Sequence, residues 1–160
     1  MNFKSAILAA ALLISSAAAS ATAITLTPTG TANSYSAAFS GNAISNTFEL
    51  DLTSFASGSN FFGQVTANFT GGAGYDVTAV TFDGMSFTPI VNTPAGSNGA
   101  DLWWLDLATL TSTVHTLVVT GTPLKNNPGF TGSLSLNVTP VPEAETYAMM
   151  LAFSCRKRFL

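Results

Sequence analysis

The sequence predicts an all-β fold: a β-sandwich or jelly-roll-like domain of about eight or nine short antiparallel strands. Three observations carry that reading. Apolar and polar residues alternate with period two in one segment after another. Turn-forming pairs such as Gly71-Gly72 and Asp83-Gly84 recur at roughly ten-residue spacing. No interior stretch shows the 3.6-residue spacing of an amphipathic helix.

Taken in chain order, Tyr35 to Phe39 opens the series, closed by the turn Gly41-Asn42. In FELDL, Phe48, Leu50 and Leu52 point one way and Glu49 and Asp51 the other. In FFGQVTANFT, Phe61, Val65, Ala67 and Phe69 oppose Gln64, Thr66, Asn68 and Thr70, and Gly71-Gly72 follows. Asp76 to Phe82 and Ser86 to Val91 flank Asp83-Gly84, whose residues supply the positive φ of a tight type I′ hairpin. Asn92 to Gly99 is a longer turn before Leu102 to Leu107, and Val114 to Thr120 comes next. After the turn Asn126 to Gly129, FTGSLSLNVT places Phe130, Leu134, Leu136 and Val138 opposite Thr131, Ser133, Ser135 and Asn137. FELDL, FFGQVTANFT and FTGSLSLNVT each read as a strand with one buried and one wet face, and the remaining segments are candidate strands between them.

The organisation expected is a signal peptide at 1–23, a β-sandwich domain at 24–140 and a tail at 141–160. Lys4 is the basic n-region, Ala6 to Ile14 a short apolar core, and small residues run to Ala21-Thr22-Ala23. Cleavage is expected after Ala21 or Ala23. Cys155 is the single cysteine, so no intramolecular disulfide forms and stability must come from packing.

Charged residues make up 8% of the chain. In the central domain Lys125 is the one basic side chain against Glu49, Asp51, Asp76, Asp83, Asp101 and Asp106. Such a surface repels phosphate backbones, so nucleic acid is excluded as a partner.

The inventory of reactive groups points away from an enzyme. His115 is the only histidine, in a strand-like run where a hydrogen-bonded structural role is the ordinary one. Ser112, His115 and Asp106 can be combined into a triad on paper, as in any serine-rich chain. Glu49 and Asp51 share a strand face like a glycosidase pair, yet no apolar pocket is signalled beside them, and the solvent face of an edge strand accounts for them. Asp76, Asp83, Asp101 and Asp106 are hard oxygen ligands without the dense spacing of a calcium loop. No catalytic residue, metal site or cofactor is expected.

Trp103-Trp104 is the most suggestive pair in the domain. Adjacent strand residues face opposite sides, so Trp103 aligns with Leu105 and Leu107 toward the core, and Trp104 shares the outer face with Asp106. An exposed indole beside a carboxylate acceptor is a candidate platform for a sugar ring, which makes a secreted carbohydrate-binding module the alternative function.

The tail carries a resemblance. Val141-Pro142-Glu143, an apolar run from Tyr147 to Phe153, and Arg156-Lys157-Arg158 occur in the order of the PEP-CTERM sorting signal. There a Val-Pro-Glu-Pro motif precedes a transmembrane segment and a terminal basic cluster. Ala144 stands where the family has its second proline. The layout upstream is similar to the FxDxF-type PEP-CTERM proteins, although of the naming motif only Phe48 is matched, within Ile44 to Phe48. The resemblance implies an exported, non-catalytic surface or matrix protein of a Gram-negative bacterium. It also implies an exosortase-type membrane protease as partner and a link to exopolysaccharide and biofilm. The apolar run would cover about 10 Å as a helix, against a hydrocarbon core of about 30 Å, so it reads as a shortened anchor.

Overall fold

The fold is described from a computed structural model over residues 20–55, 59–94 and 97–138. Every regular element among them is a strand: β1 (Thr22–Ala23), β2 (Thr27–Pro28), β3 (Ser34–Gly41), β4 (Ser45–Asp51), β5 (Ser59–Thr70), β6 (Ala73–Phe82), β7 (Met85–Ser86), β8 (Thr88–Val91), β9 (Gly99–Leu110), β10 (Val114–Pro123) and β11 (Phe130–Asn137). The expected all-β class is what the chain adopts.

Two sets of strands face each other. One runs β1-β4-β10-β6, with β7 on the free side of β6. The other runs β2-β3-β11-β5-β9-β8. They join at one corner, where β5 and β6 pair only through Phe69↔Gly74 and Thr70↔Ala73. That corner is written in glycine: Gly71 and Gly72 have φ of 58° and 76°, the left-handed pair a two-residue hairpin demands. Beyond it β6 turns away into the other sheet, making one curled sheet closed upon itself as a sandwich. The pairings are antiparallel except β1 with β4, which is parallel.

The expected Ser86 to Val91 strand is two pieces. β7 pairs with β6, whereas β8 pairs with β9 in the opposite sheet. The chain changes layer at Phe87, whose buried ring fills the core space that Gly63 leaves open, since a Cβ at Gly63 would stand 2.8 Å from Phe87 Cζ. Hydrophobic collapse of that one side chain thus divides the segment.

Alternation dictates the core. Leu50, Phe61, Val65, Val77, Phe82, Leu117, Val119, Phe130, Leu134 and Leu136 are at most 1–2% exposed. Each such burial contributes about 1.5–3 kcal/mol against the cost of ordering the chain. Aromatic rings fill the space between the sheets: Phe39 meets Phe48 at 4.9 Å, Phe48 meets Phe130 edge-on at 6.2 Å, and Phe61 stacks on Phe82 at 4.4 Å. Tyr75 is fully buried, and burial pushes its phenol above the ordinary value of 10.0. Its hydroxyl escapes an unpaired state by donating to the Ala43 carbonyl at 2.7 Å.

Candidate functional site

The outer face of the β8-β9-β5-β11-β3 sheet holds the sequence-predicted pair. Trp104 and Asp106 both project outward from β9, and Trp104 is 43% exposed. Trp103, 7% exposed, lies in the core as the alternation requires. Its indole N–H finds no acceptor among the described residues, a desolvated donor.

Register builds the surroundings of Trp104. Gln64 lies opposite it on β5 and Thr88 opposite it on β8, while Ser133 of β11 lies opposite Gln64. One step along the strands, Asp106 faces Phe62, which faces Ser135. The Phe62 and Trp104 rings meet on the diagonal at 4.8 Å and 90°. A step the other way, the Thr66 and Thr131 hydroxyls lie 3.1 Å apart. In the sequence Gln64 is one polar residue of an alternating strand, and Phe62 has no assigned face; their place beside Trp104 follows from pairing between distant strands.

The Ser112, His115 and Asp106 triad does not assemble. His115 is buried on the inner face of β10, stacked on Phe82 at 5.3 Å. Its Nδ1 lies 2.6 Å from Asp83 Oδ2, and its Nε2 lies 2.9 Å from the Thr111 carbonyl. The Thr111 carbonyl can only accept, so Nε2 is the donor in that contact, and Nδ1 is engaged by the carboxylate. Neither nitrogen is free to serve as a base. The Ser112 hydroxyl is directed at the carbonyls of Leu52 and Phe55, and Asp106 projects from the outer face of the opposite sheet. Asp83, expected to serve its turn, does so at φ 48° and also accepts the Thr116 N–H at 2.8 Å.

The carboxylates have separate tasks. Glu49 and Asp51 are exposed on β4, which is not the bare edge strand the sequence suggested: β10 lines one side, and β1 pairs with Phe48 and Glu49 on the other. Thr53 donates its hydroxyl at 2.7 Å and its N–H at 2.8 Å to Asp51, holding that carboxyl below the ordinary 3.8. Asp101 is fully buried, accepting the Val77 N–H at 2.8 Å and the Thr93 N–H at 3.0 Å. Burial pushes its carboxyl above 3.8 despite those donors, and the charge of Asp76 adds to the effect. It ties the loop after β8, through Thr93, to the middle of β6, through Val77. Among the described residues, no group of three or more acidic, histidine or cysteine side chains is placed to hold a metal.

A shallow pocket of about 240 Å³ lies at the β5–β6 corner, lined by Asn68, Phe69 and Asn126 among others, with no ionisable side chain in its wall. Val141, Pro142, Glu143, Arg156, Lys157 and Arg158 lie outside the described residues. Compared with models of protein families, with curated proteins and with solved structures, the chain matches none.

Proposed function

We propose that this is a non-catalytic exported protein of a Gram-negative cell surface or extracellular matrix, delivered by an N-terminal signal peptide and marked by a PEP-CTERM-like tail for an exosortase-type protease. The observation that carries the reading is the sequence order of the tail's parts: Val141-Pro142-Glu143, then the apolar run, then Arg156-Lys157-Arg158. The domain between the ends supports it in two ways. It is a packed all-β body, a common build for a surface module. The imidazole and the serine of the paper triad are committed to structure, His115 to Asp83 and Thr111, and Ser112 to backbone carbonyls. Exopolysaccharide is the surrounding matrix this reading implies.

The tail's function is to address the chain. A sorting protease needs the Pro-Glu site at the outer surface while a helix spans the bilayer and basic residues stay on the cytoplasmic side. Seven residues from Tyr147 to Phe153 do not reach across about 30 Å of hydrocarbon. The basic cluster adds only reversible attraction to anionic lipid, about 1 kcal/mol per charge. In an exosortase-bearing host the unaltered chain is therefore expected in the medium. Insertion of about ten Leu, Gly and Ala residues after Ala152 should give membrane retention and processing near Pro142 that is lost when the exosortase is deleted. An unaltered chain that stays in the membrane through high-salt washing contradicts the proposal.

A further inference from the structure

We propose that the outer face of the β8-β9-β5-β11-β3 sheet binds an uncharged, extended polysaccharide chain, with Trp104 as the stacking platform and Gln64, Thr88, Ser133 and Asp106 as hydrogen-bonding groups beside it. The inference is independent of the sorting tail, since it rests on the geometry of the central domain alone.

Three features of the face select the occupant. The first is a large apolar ring left in solvent: Trp104 is 43% exposed in a strand whose neighbouring Trp103 is packed away. Its perpendicular contact with Phe62 at 4.8 Å fixes its position, so little side-chain freedom remains to be lost when a ligand arrives. An indole offers a flat apolar surface to the C–H face of a pyranose, and its N–H can reach a hydroxyl.

The second is the polar set around the ring. Thr88, Trp104, Gln64 and Ser133 follow one another across β8, β9, β5 and β11, each displaced by one strand spacing of about 4.8 Å. Flanking rows add Asp106 and Ser135 on one side, and Thr66 and Thr131 on the other. Amides and hydroxyls both donate and accept, as sugar hydroxyls do. A row this straight on an open sheet suits an extended, β-linked chain lying across the strands rather than a coiled one.

The third feature is charge. Of the residues that project outward from β3, β5, β8, β9 and β11, Asp106 is the one charged side chain, and none is basic. Polyanions, acidic polysaccharides included, have nothing to pair with there. Val91, paired with Leu102, and Ile90 make an exposed apolar edge beside the ring, so a dimer that buries Trp104 while the chain binds no glucan overturns the proposal.

The test is affinity electrophoresis and calorimetry of the full chain with soluble mixed-linkage β-glucan and cellohexaose, with alginate as the acidic comparison and amylose as the coiled one. The expected result is binding to the β-glucan and cellohexaose and none to alginate or amylose. Trp104→Ala should weaken it by at least about tenfold, Gln64→Ala by several-fold, and Glu49→Gln on the opposite sheet not at all, with unchanged far-ultraviolet circular dichroism throughout. No binding by the wild-type chain overturns the proposal. So does full affinity in a folded Trp104→Ala variant, or a preference for alginate or amylose.

Discussion

His115 Nδ1 lies 2.6 Å from Asp83 Oδ2, joining the β6–β7 turn to the start of β10 beneath a ring that stacks on Phe82. This contact closes one end of the sandwich. Asp83 is more than a turn residue, because its other oxygen accepts the Thr116 N–H and its own N–H donates to the Thr116 carbonyl. Removing the carboxylate leaves a buried ring nitrogen and a backbone donor without partners.

Asp83→Ala is therefore expected to cost about 1–3 kcal/mol. Asp83→Asn should cost less, since its amide can accept from Thr116 and donate to Nδ1 of the ring. In a double-mutant cycle, Asp83→Ala and His115→Phe should couple by about 1–2 kcal/mol in urea unfolding. Additive effects would mean that the contact contributes nothing.

The adjacent tryptophans should separate cleanly. Trp103→Ala opens a core cavity and is expected to cost about 3–5 kcal/mol, whereas Trp104→Ala should leave stability within about 1 kcal/mol. Trp103→Phe should be much milder than Trp103→Ala, because it keeps most of the ring while deleting an indole N–H that has no acceptor among the described residues. Thermal and urea unfolding of the three variants decides this; equal losses at both tryptophans would contradict the alternation of β9.

Two carboxyls should titrate on opposite sides of the ordinary value of 3.8, which side-chain carbon-detected NMR can follow. Asp51, lowered by the Thr53 hydroxyl and N–H, contributes stability present above the unfolded value and lost as pH falls through its folded one. Thr53→Ala should bring it back toward 3.8. Asp101, raised by burial, has the reverse sign: its contribution is present below the unfolded value and is lost as pH rises through its raised folded value. Acid unfolding should thus not be triggered at Asp101. An Asp101 resonance that titrates below 3.8 would show that the Val77 and Thr93 donors outweigh burial.

The strands and their inward faces were legible because period-two alternation survives in FELDL, FFGQVTANFT and FTGSLSLNVT, and because paired turn residues punctuate them. Asp83 and Gly84 have the positive φ values expected of a tight hairpin, 48° and 80°. Asp101 lies one residue before the expected strand Leu102 to Leu107, and only when β9 is extended back to Gly99 does the alternation that turns Trp103 inward turn Asp101 inward with it. A carboxylate on a core face calls for backbone donors, and it has two. The division of Ser86 to Val91 was hidden, because nothing local says that Phe87 crosses between sheets. Thirty-two residues separate Asp83 from His115, and they meet only through the β6–β10 register, which no local pattern encodes. The neighbours of Trp104 were hidden for the same reason.

Export is decided by intact-mass analysis of the protein recovered from the culture medium of a Gram-negative host. A mature chain that begins at Thr22 or Ile24 is expected. A start at Thr22 keeps β1, which pairs with Phe48 and Glu49 of β4, in the folded domain. Recovery of the protein in the cytoplasm with Met1 to Ala21 still attached would contradict export.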